Sequence, residues 1–272
     1  MTGIFDSHAH YFDKRFAAEV EGGAEAILAQ IMSDPVSYIL NVGTDLKSSE
    51  AAIRQASQYE GMYAAVGIHP GDCHFLGDVD AELRSLRALL GDAESRRQRK
   101  IVALGEIGLD YHFSSYGEIP MDREREMRFF RAQMELAREL ELPVIIHDRE
   151  AHGDCFETVL EYPDVRGVFH SFSGSAEMAR ELTRRGWYIS FSGTLTFKNA
   201  ERVRMAARAV PQEQLLVETD APYLAPHPKR GSLNHSGLLT YTLQTLAELW
   251  TCSPEEAAQI TAQNAKTLFK IS

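Results

Sequence analysis

Cysteine is scarce in this chain of 272 residues: there are three, Cys73, Cys155 and Cys252, far apart and with no Cys-x-x-Cys pair. That spacing indicates neither a disulfide framework nor a zinc knuckle, and favours a reducing compartment. No apolar run approaches the length of a membrane span, and no Pro/Gly-rich or single-residue tract marks a linker. The opening MTGIFDSHAH has neither the basic start nor the apolar stretch of a secretory signal. The expectation is a cytoplasmic protein of one domain, 1–272, with no membrane contact and no obligate protein partner. Positive charge is also in deficit, with 28 Lys+Arg against 39 Asp+Glu and a net charge of -11. A protein that coats nucleic acid displaces phosphate counterions with Lys and Arg over much of its surface, so that mode is excluded, but a local phosphate site is not.

The chain does have short apolar runs rich in β-branched residues, each followed by a polar or Gly-containing turn and a longer stretch of helical period. The strand candidates are Ile4 to His8, Tyr38 to Val42, Tyr63 to Gly67, Ile101 to Gly105, Val144 to His147, Gly167 to His170, Trp187 to Phe191 and Leu215 to Glu218. The clearest helix begins near Asp122, carries Met127, Phe130, Met134 and Ala137 at spacings of three and four, and stops at Pro143. A last helix is announced by Ser253-Pro254-Glu255-Glu256: a serine N-cap, proline in the first turn and a glutamate placed to complete a capping box. Strands that are hydrophobic throughout and alternate with helices read as parallel strands buried on both faces. The fold class expected is α/β, a (β/α)8 TIM barrel. A doubly wound open sheet is the rival, disfavoured because no Gly-x-Gly-x-x-Gly follows a strand.

Active sites of such barrels sit at the C-terminal ends of the strands. Those ends carry His8 and His10, Glu106, His147, His170 and Glu218-Thr219-Asp220. On a strand, His8 and His10 share a face with β-carbons roughly 6–7 Å apart, a chelating bite. Any one of these residues has an ordinary reading, a hydrogen-bonded core histidine or a helix cap. Together, at the ends of five strands, they are better explained by one dinuclear metal site. Imidazole and carboxylate without thiolate suit Zn²⁺, Mn²⁺ or Mg²⁺.

FDSHAH (5–10), GIHP (67–70), ALGEIGLDYH (103–112), LPVIIHDREAH (142–152), FHSFSGS (169–175) and ETDAPYLAP (218–226) occur in this order along the chain. In these strings the sequence resembles the TatD family of metal-dependent hydrolases. The resemblance implies an amidohydrolase-like barrel with two divalent metal ions and deoxyribonuclease or related phosphodiesterase activity. It implies that His8, His10, Glu106 and Asp220 hold one metal and Glu106, His147 and His170 the other, with Glu106 bridging. Two stretches depart from the family pattern: HDREAH stands where HSRDAH is usual, and RGSLNHS (230–236) where the family reads close to RGKRNEP.

The implied chemistry is a metal-activated water attacking phosphorus, with Glu106 and Asp220 as catalytic carboxylates. Asp220 either relays the proton, with His69 or solvent as its partner, or serves as a ligand alone. Arg149, Lys198, Lys229 and Arg230 follow strands on the same rim and are candidates to bind phosphate, with His69 and Ser173 beside them. Ser171 and Ser173 have a second reading as caps of the following helix. His112 and Tyr111 are expected to line the pocket, and His74, His152, His227 and His235 to be surface residues or to stand behind the ligands. The basic run SRRQRK (95–100) precedes the fourth strand and is expected as a solvated loop at the opposite face. An acidic enzyme engaging one or two phosphates suits the end of a single-stranded or frayed DNA better than a duplex interior. The rivals are a barrel amidohydrolase of cyclic amides or esters, which often bridges its metals with a modified lysine where this chain has Glu106, and a non-catalytic metal-binding module.

Overall fold

The computed structural model describes residues 3–32 and 34–271; Met1, Thr2, Ser33 and Ser272 lie outside them. In chain order the strands are β1 (Ile4–Ala9), β2 (Val36–Val42), β3 (Met62–Val66), β4 (Ile101–Asp110), β5 (Ser115–Tyr116), β6 (Ile119–Pro120), β7 (Val144–Arg149), β8 (Gly167–Phe169), β9 (Tyr188–Phe191) and β10 (Leu215–Val217). β5 and β6 form a small antiparallel hairpin, and the other eight form one parallel sheet in the order β1-β2-β3-β4-β7-β8-β9-β10. The ends of that sheet meet. Ala9 and Ala221 form a parallel bridge, the His10 amide donates to the Ala221 carbonyl (2.7 Å), and Ser7 Oγ donates to the Val217 carbonyl (3.0 Å). The expected (β/α)8 barrel is the fold.

Alternation along the strands sorts two cores. In β7, Val144 and Ile146 pack outward against the helix layer, while Ile145 joins an inner cluster with Phe5, Leu40, Ala65, Ala103, Val168 and Leu216. His147 follows Ile145 by two residues and His170 follows Val168 by two, so both imidazoles stand directly above this apolar floor. The C-terminal helix Pro254–Phe269 completes the floor from below, with the Phe269 ring centroid 6.4 Å from that of Phe5.

Among the register shifts of the sheet, two carry site residues. In β1 the register passes from Asp6↔Ile39 to Ala9↔Asn41, so Ser7 and His8 together oppose Leu40. In β4 it passes from Leu104↔Val144 to Ile107↔Ile146, so Gly105 and Glu106 oppose Ile145. An extra residue inverts which side chains face inward beyond it. Phe5 can therefore sit in the floor while His8 and His10 face the site, and Ala103 can do so while Glu106 faces the site. Glycine permits the β4 bulge: a β-carbon on Gly105 would lie 2.6 Å from the Ile145 β-carbon, and one on Gly108, at φ +140°, would lie 2.0 Å from the His147 carbonyl oxygen.

The helix expected near Asp122 spans Arg123–Leu140, with Asp122 Oδ1 accepting the Arg125 amide (3.0 Å) and Phe129, Phe130, Met134 and Ala137 buried. Ser253 Oγ accepts the Glu256 amide (3.1 Å), which makes that half of the expected capping box. Several strand ends differ from expectation: β1 and β7 run on to Ala9 and Arg149, and β3 stops at Val66. β4 runs on to Asp110 because it pairs with β7 through Arg149, while β8 and β10 stop at Phe169 and Val217, leaving His170 and Glu218 just beyond. The run SRRQRK is not a solvated loop. Residues Ala93–Gln98 form a short helix, Arg96 is buried on the Gly91 carbonyl, and Lys100 Nζ donates to the carbonyls of Ala56, Tyr59 and Glu60.

Candidate metal centre

Glu106 lies at the centre of the cluster, 4% exposed at its side chain, and its two oxygens face different partners. Oε2 is 3.3 Å from His8 Nε2 and 3.7 Å from His10 Nε2; Oε1 is 2.6 Å from His147 Nδ1 and 2.8 Å from His170 Nε2. Asp220 completes the first group, with Oδ1 3.3 Å from His10 Nε2 and 3.8 Å from His8 Nε2. Its backbone is left-handed (φ 59°), a region Asp tolerates better than most residues, and its amide is tied to the His8 carbonyl (2.9 Å). All six residues singled out from the sequence are thus brought together.

The donor chemistry of the cluster fits divalent cations. His10 Nδ1 must donate to the Val42 carbonyl (2.7 Å), because a carbonyl can only accept. By the same logic His170 Nδ1 points its proton at Glu218 Oε1 (3.3 Å) and His147 Nε2 at Asp110 Oδ2 (3.3 Å). Once these rings are neutral, as a bound cation would require, their inner nitrogens are lone pairs. His147 Nδ1 and His170 Nε2 face each other at 3.1 Å, as do His8 Nε2 and His10 Nε2, around the two oxygens of one carboxylate. Lone pairs converging in this way are a ligand set, and nitrogen with oxygen and no sulfur suits Zn²⁺, Mn²⁺ or, less tightly, Mg²⁺.

Electrostatics follow the same lines. Burial disfavours the Glu106 carboxylate, but the surrounding imidazoles of His170, His69 and His8 and the hydrogen bond to His147 outweigh it and hold the carboxyl well below its usual range. Burial likewise opposes charge on His147, yet its bonds to Asp110 and Glu106 lift it to about 9. His69 goes the other way, pushed down to about 3 by burial and by the neighbouring His147.

His69 is close to the cluster, with Nε2 3.6 Å from Glu106 Oε1; its Nδ1 accepts the Gly71 amide (3.0 Å), so the neutral ring carries its proton on Nε2. Arg149 ends β7, its guanidinium over the Phe113 ring, and Arg230 lies over Phe197. Lys198 and Lys229 are exposed on loops of the same rim. Ser173 is exposed and Ser171 meets Ser192 Oγ (3.0 Å), while the helix after β8 is capped by Ser175; the capping reading of Ser171 and Ser173 is therefore wrong. His112 pairs with Glu150 and Tyr111 with Asp154, both at 2.7 Å, on the loops beside Arg149.

Of the residues behind the ligands, His74 fits its expected place, while Asp110, Glu218 and Glu126 were given no such role from the sequence. Asp110 and Glu218 receive the outward protons of His147 and His170. Glu126, fully buried, accepts the Asp110 amide on Oε2 (2.9 Å) and meets His74 Nε2 on Oε1 (2.9 Å). Period two from Glu106 reaches Asp110 through Gly108, a signal that was present; Glu126 comes from a separate helix and left none.

A family model described as TatD related DNase matches residues 5–270. An uncharacterized metal-dependent hydrolase, YabD of Bacillus subtilis (strain 168), is 37% identical over 272 residues, covering 99% of this chain and 100% of the relative. Another, YcfH of Escherichia coli (strain K12), is 36% identical over 270 residues, covering 98% and 96%. Among solved structures, the TatD homologue YjjV of Escherichia coli K12 superposes with a TM-score of 0.86 at 29% identity, covering 99% of this chain and 98% of that one.

Proposed function

The chain belongs to the TatD related DNase family, and from that premise we propose that it is a metal-dependent phosphodiester hydrolase that shortens single-stranded or frayed DNA from an end, in the manner of a 3′–5′ exonuclease. The observation carrying this reading is the division of one buried carboxylate, Glu106, between two sets of imidazole nitrogens. His8, His10, Glu106 and Asp220 hold one divalent ion, and Glu106, His147 and His170 the other. When bound, such a pair supplies an acidified water and positive charge at the phosphate.

The chain's own residues do the rest. Asp220, 17% exposed at its side chain and so the most open of the cluster's carboxylates, takes the proton released by the attacking water. His69, with its proton on Nε2, donates to a phosphate oxygen. Arg149, Lys229 and Arg230 neutralise the phosphate from the rim, and Ser173 offers a hydroxyl. With a net charge of -11 the remaining surface repels a long polyanion, which favours contact with the last few nucleotides only. Residues 1–272 act as one hydrolase domain in the cytoplasm, without an obligate partner.

The test is digestion of end-labelled single-stranded DNA by metal-supplemented wild type and Glu106→Ala. Stepwise shortening by the wild type alone is the expected result. Equal cleavage by both would remove Glu106 from the reaction, and a wild type inert on DNA but active on a cyclic amide would replace the nuclease reading with an amidohydrolase.

A further inference from the structure

The strongly exposed aromatic side chains, Phe75, Phe113 and Tyr223, all lie on loops that follow β3, β4 and β10, the rim that carries the histidine cluster. Four rings of that rim lie against guanidinium groups; those over Tyr223 and Tyr111 belong to Arg15 and Arg123, on helices, and the other two to arginines of the rim itself. Arg149 Cζ is 5.0 Å from the centroid of Phe113, and Arg230 Cζ is 4.2 Å from that of Phe197, a ring on the loop after β9. The first pair adjoins the cluster: Arg149 stands two residues past His147 and is in register with Asp110, whose Oδ2 reaches His147 Nε2.

Neither Arg149 nor Arg230 has a carboxylate partner among the described residues. Many helix arginines do have one: Arg87, Arg97, Arg131, Arg138, Arg184 and Arg185 each pair with a glutamate. In a chain with 39 acids against 28 Lys and Arg, two rim arginines that rest on rings instead of carboxylates keep their in-plane N–H groups for an outside anion. A planar apolar surface beside such a cation matches one ligand, an unpaired nucleotide, whose base stacks while its phosphate is held.

We propose that Phe113 with Arg149 and Phe197 with Arg230 are two nucleotide stations at the mouth of the barrel, each taking a base of a single strand on or against its ring and the adjoining phosphate on its guanidinium. This rests on the nuclease reading above and sharpens it. Bases inside a duplex have no free face to offer, so the stations select unpaired ends, and stacking makes them tolerant of sequence.

The experiment is fluorescence anisotropy on the metal-loaded protein with a labelled phosphorothioate decamer, slow to hydrolyse, and an abasic strand of equal length and charge. Wild type is expected to bind the base-bearing strand about tenfold more tightly, Phe113→Ala to lose most of that preference, and Phe113→Trp to keep it. A wild type that binds both strands equally, or Phe113→Ala retaining the full preference, overturns the stations. Digestion of ordinary DNA with no base preference would remove the stations and leave the nuclease; a base preference without digestion would do the reverse.

Discussion

Asp110 Oδ2 lies 3.3 Å from His147 Nε2, on the far side of the imidazole from Glu106. Glu218 stands in the same relation to His170 Nδ1, at 3.3 Å. Carboxylates so placed fix the tautomer of a ligand and raise its basicity. Asp110→Asn and Glu218→Gln are each expected to weaken metal binding by about 10–100-fold. Competition against a chromophoric chelator measures it, and wild-type affinity in both variants would show that these contacts only pack the ring.

Glu106→Gln keeps the shape of the side chain and removes the charge shared by the two groups. Hydrolysis is expected to fall by more than about 100-fold, with fewer metal equivalents retained after dialysis and an unchanged circular dichroism spectrum. A variant with full metal content and full rate would contradict the division of that carboxylate.

Removing metal should soften the whole fold, because the ligands come from β1, β4, β7 and the loops after β8 and β10. An ion present at about 1,000 times its Kd stabilises by about 4 kcal/mol, which for a chain of this size is about 10 °C in Tm. Chelation should lower the melting temperature by that order and Zn²⁺ or Mn²⁺ should restore it. An unmoved melting curve after verified metal removal would argue that the cluster does not bind metal in solution.

Gly108→Ala puts a β-carbon 2.0 Å from the His147 carbonyl at φ +140°. Both the clash and the backbone region oppose any side chain, so a loss of about 3 kcal/mol or more is expected in urea unfolding. Unfolding midpoints that coincide would mean that the β4 bulge is less constrained than its geometry implies.

Burial raises the Asp72 carboxyl from 3.8 to about 6. Between about pH 4 and pH 6 the folded chain then binds more protons than the unfolded one, so this group's contribution is complete below about pH 4 and is lost as pH rises through 6. In metal-free protein, Asp72→Asn should be more stable than wild type by about 1–2 kcal/mol at pH 8, with the gap closing by pH 4. A gap that is constant over that range would exclude Asp72 as its source.

The barrel was legible because each strand is apolar on both faces and each helix is not. The six cluster residues were legible because a barrel collects strand ends on one rim, which turns His8, His10, Glu106, His147, His170 and Asp220 from scattered positions into neighbours. What escaped depends on register and on long-range packing. The bulges at Ser7-His8 and Gly105-Glu106 reverse alternation without altering composition, so strict period two misplaces either Phe5 or His8. The pairing of Glu126 with Asp110 and His74 joins a helix to the end of β4 and to the segment after β3, and no local pattern encodes it. Arg96 and Lys100 read as surface charge because a run of bases in sequence does not reveal that backbone carbonyls will receive them.

The stitching of β1 to residues 217–221 bears on biosynthesis. Ser7 and Val217, joined by one hydrogen bond, are separated by 210 positions, so a nascent polypeptide on the ribosome exposes His8 and His10 long before Asp220 emerges. Until then the early histidines have only part of their ligand shell, and capture of the ion there should trail translation rather than accompany it.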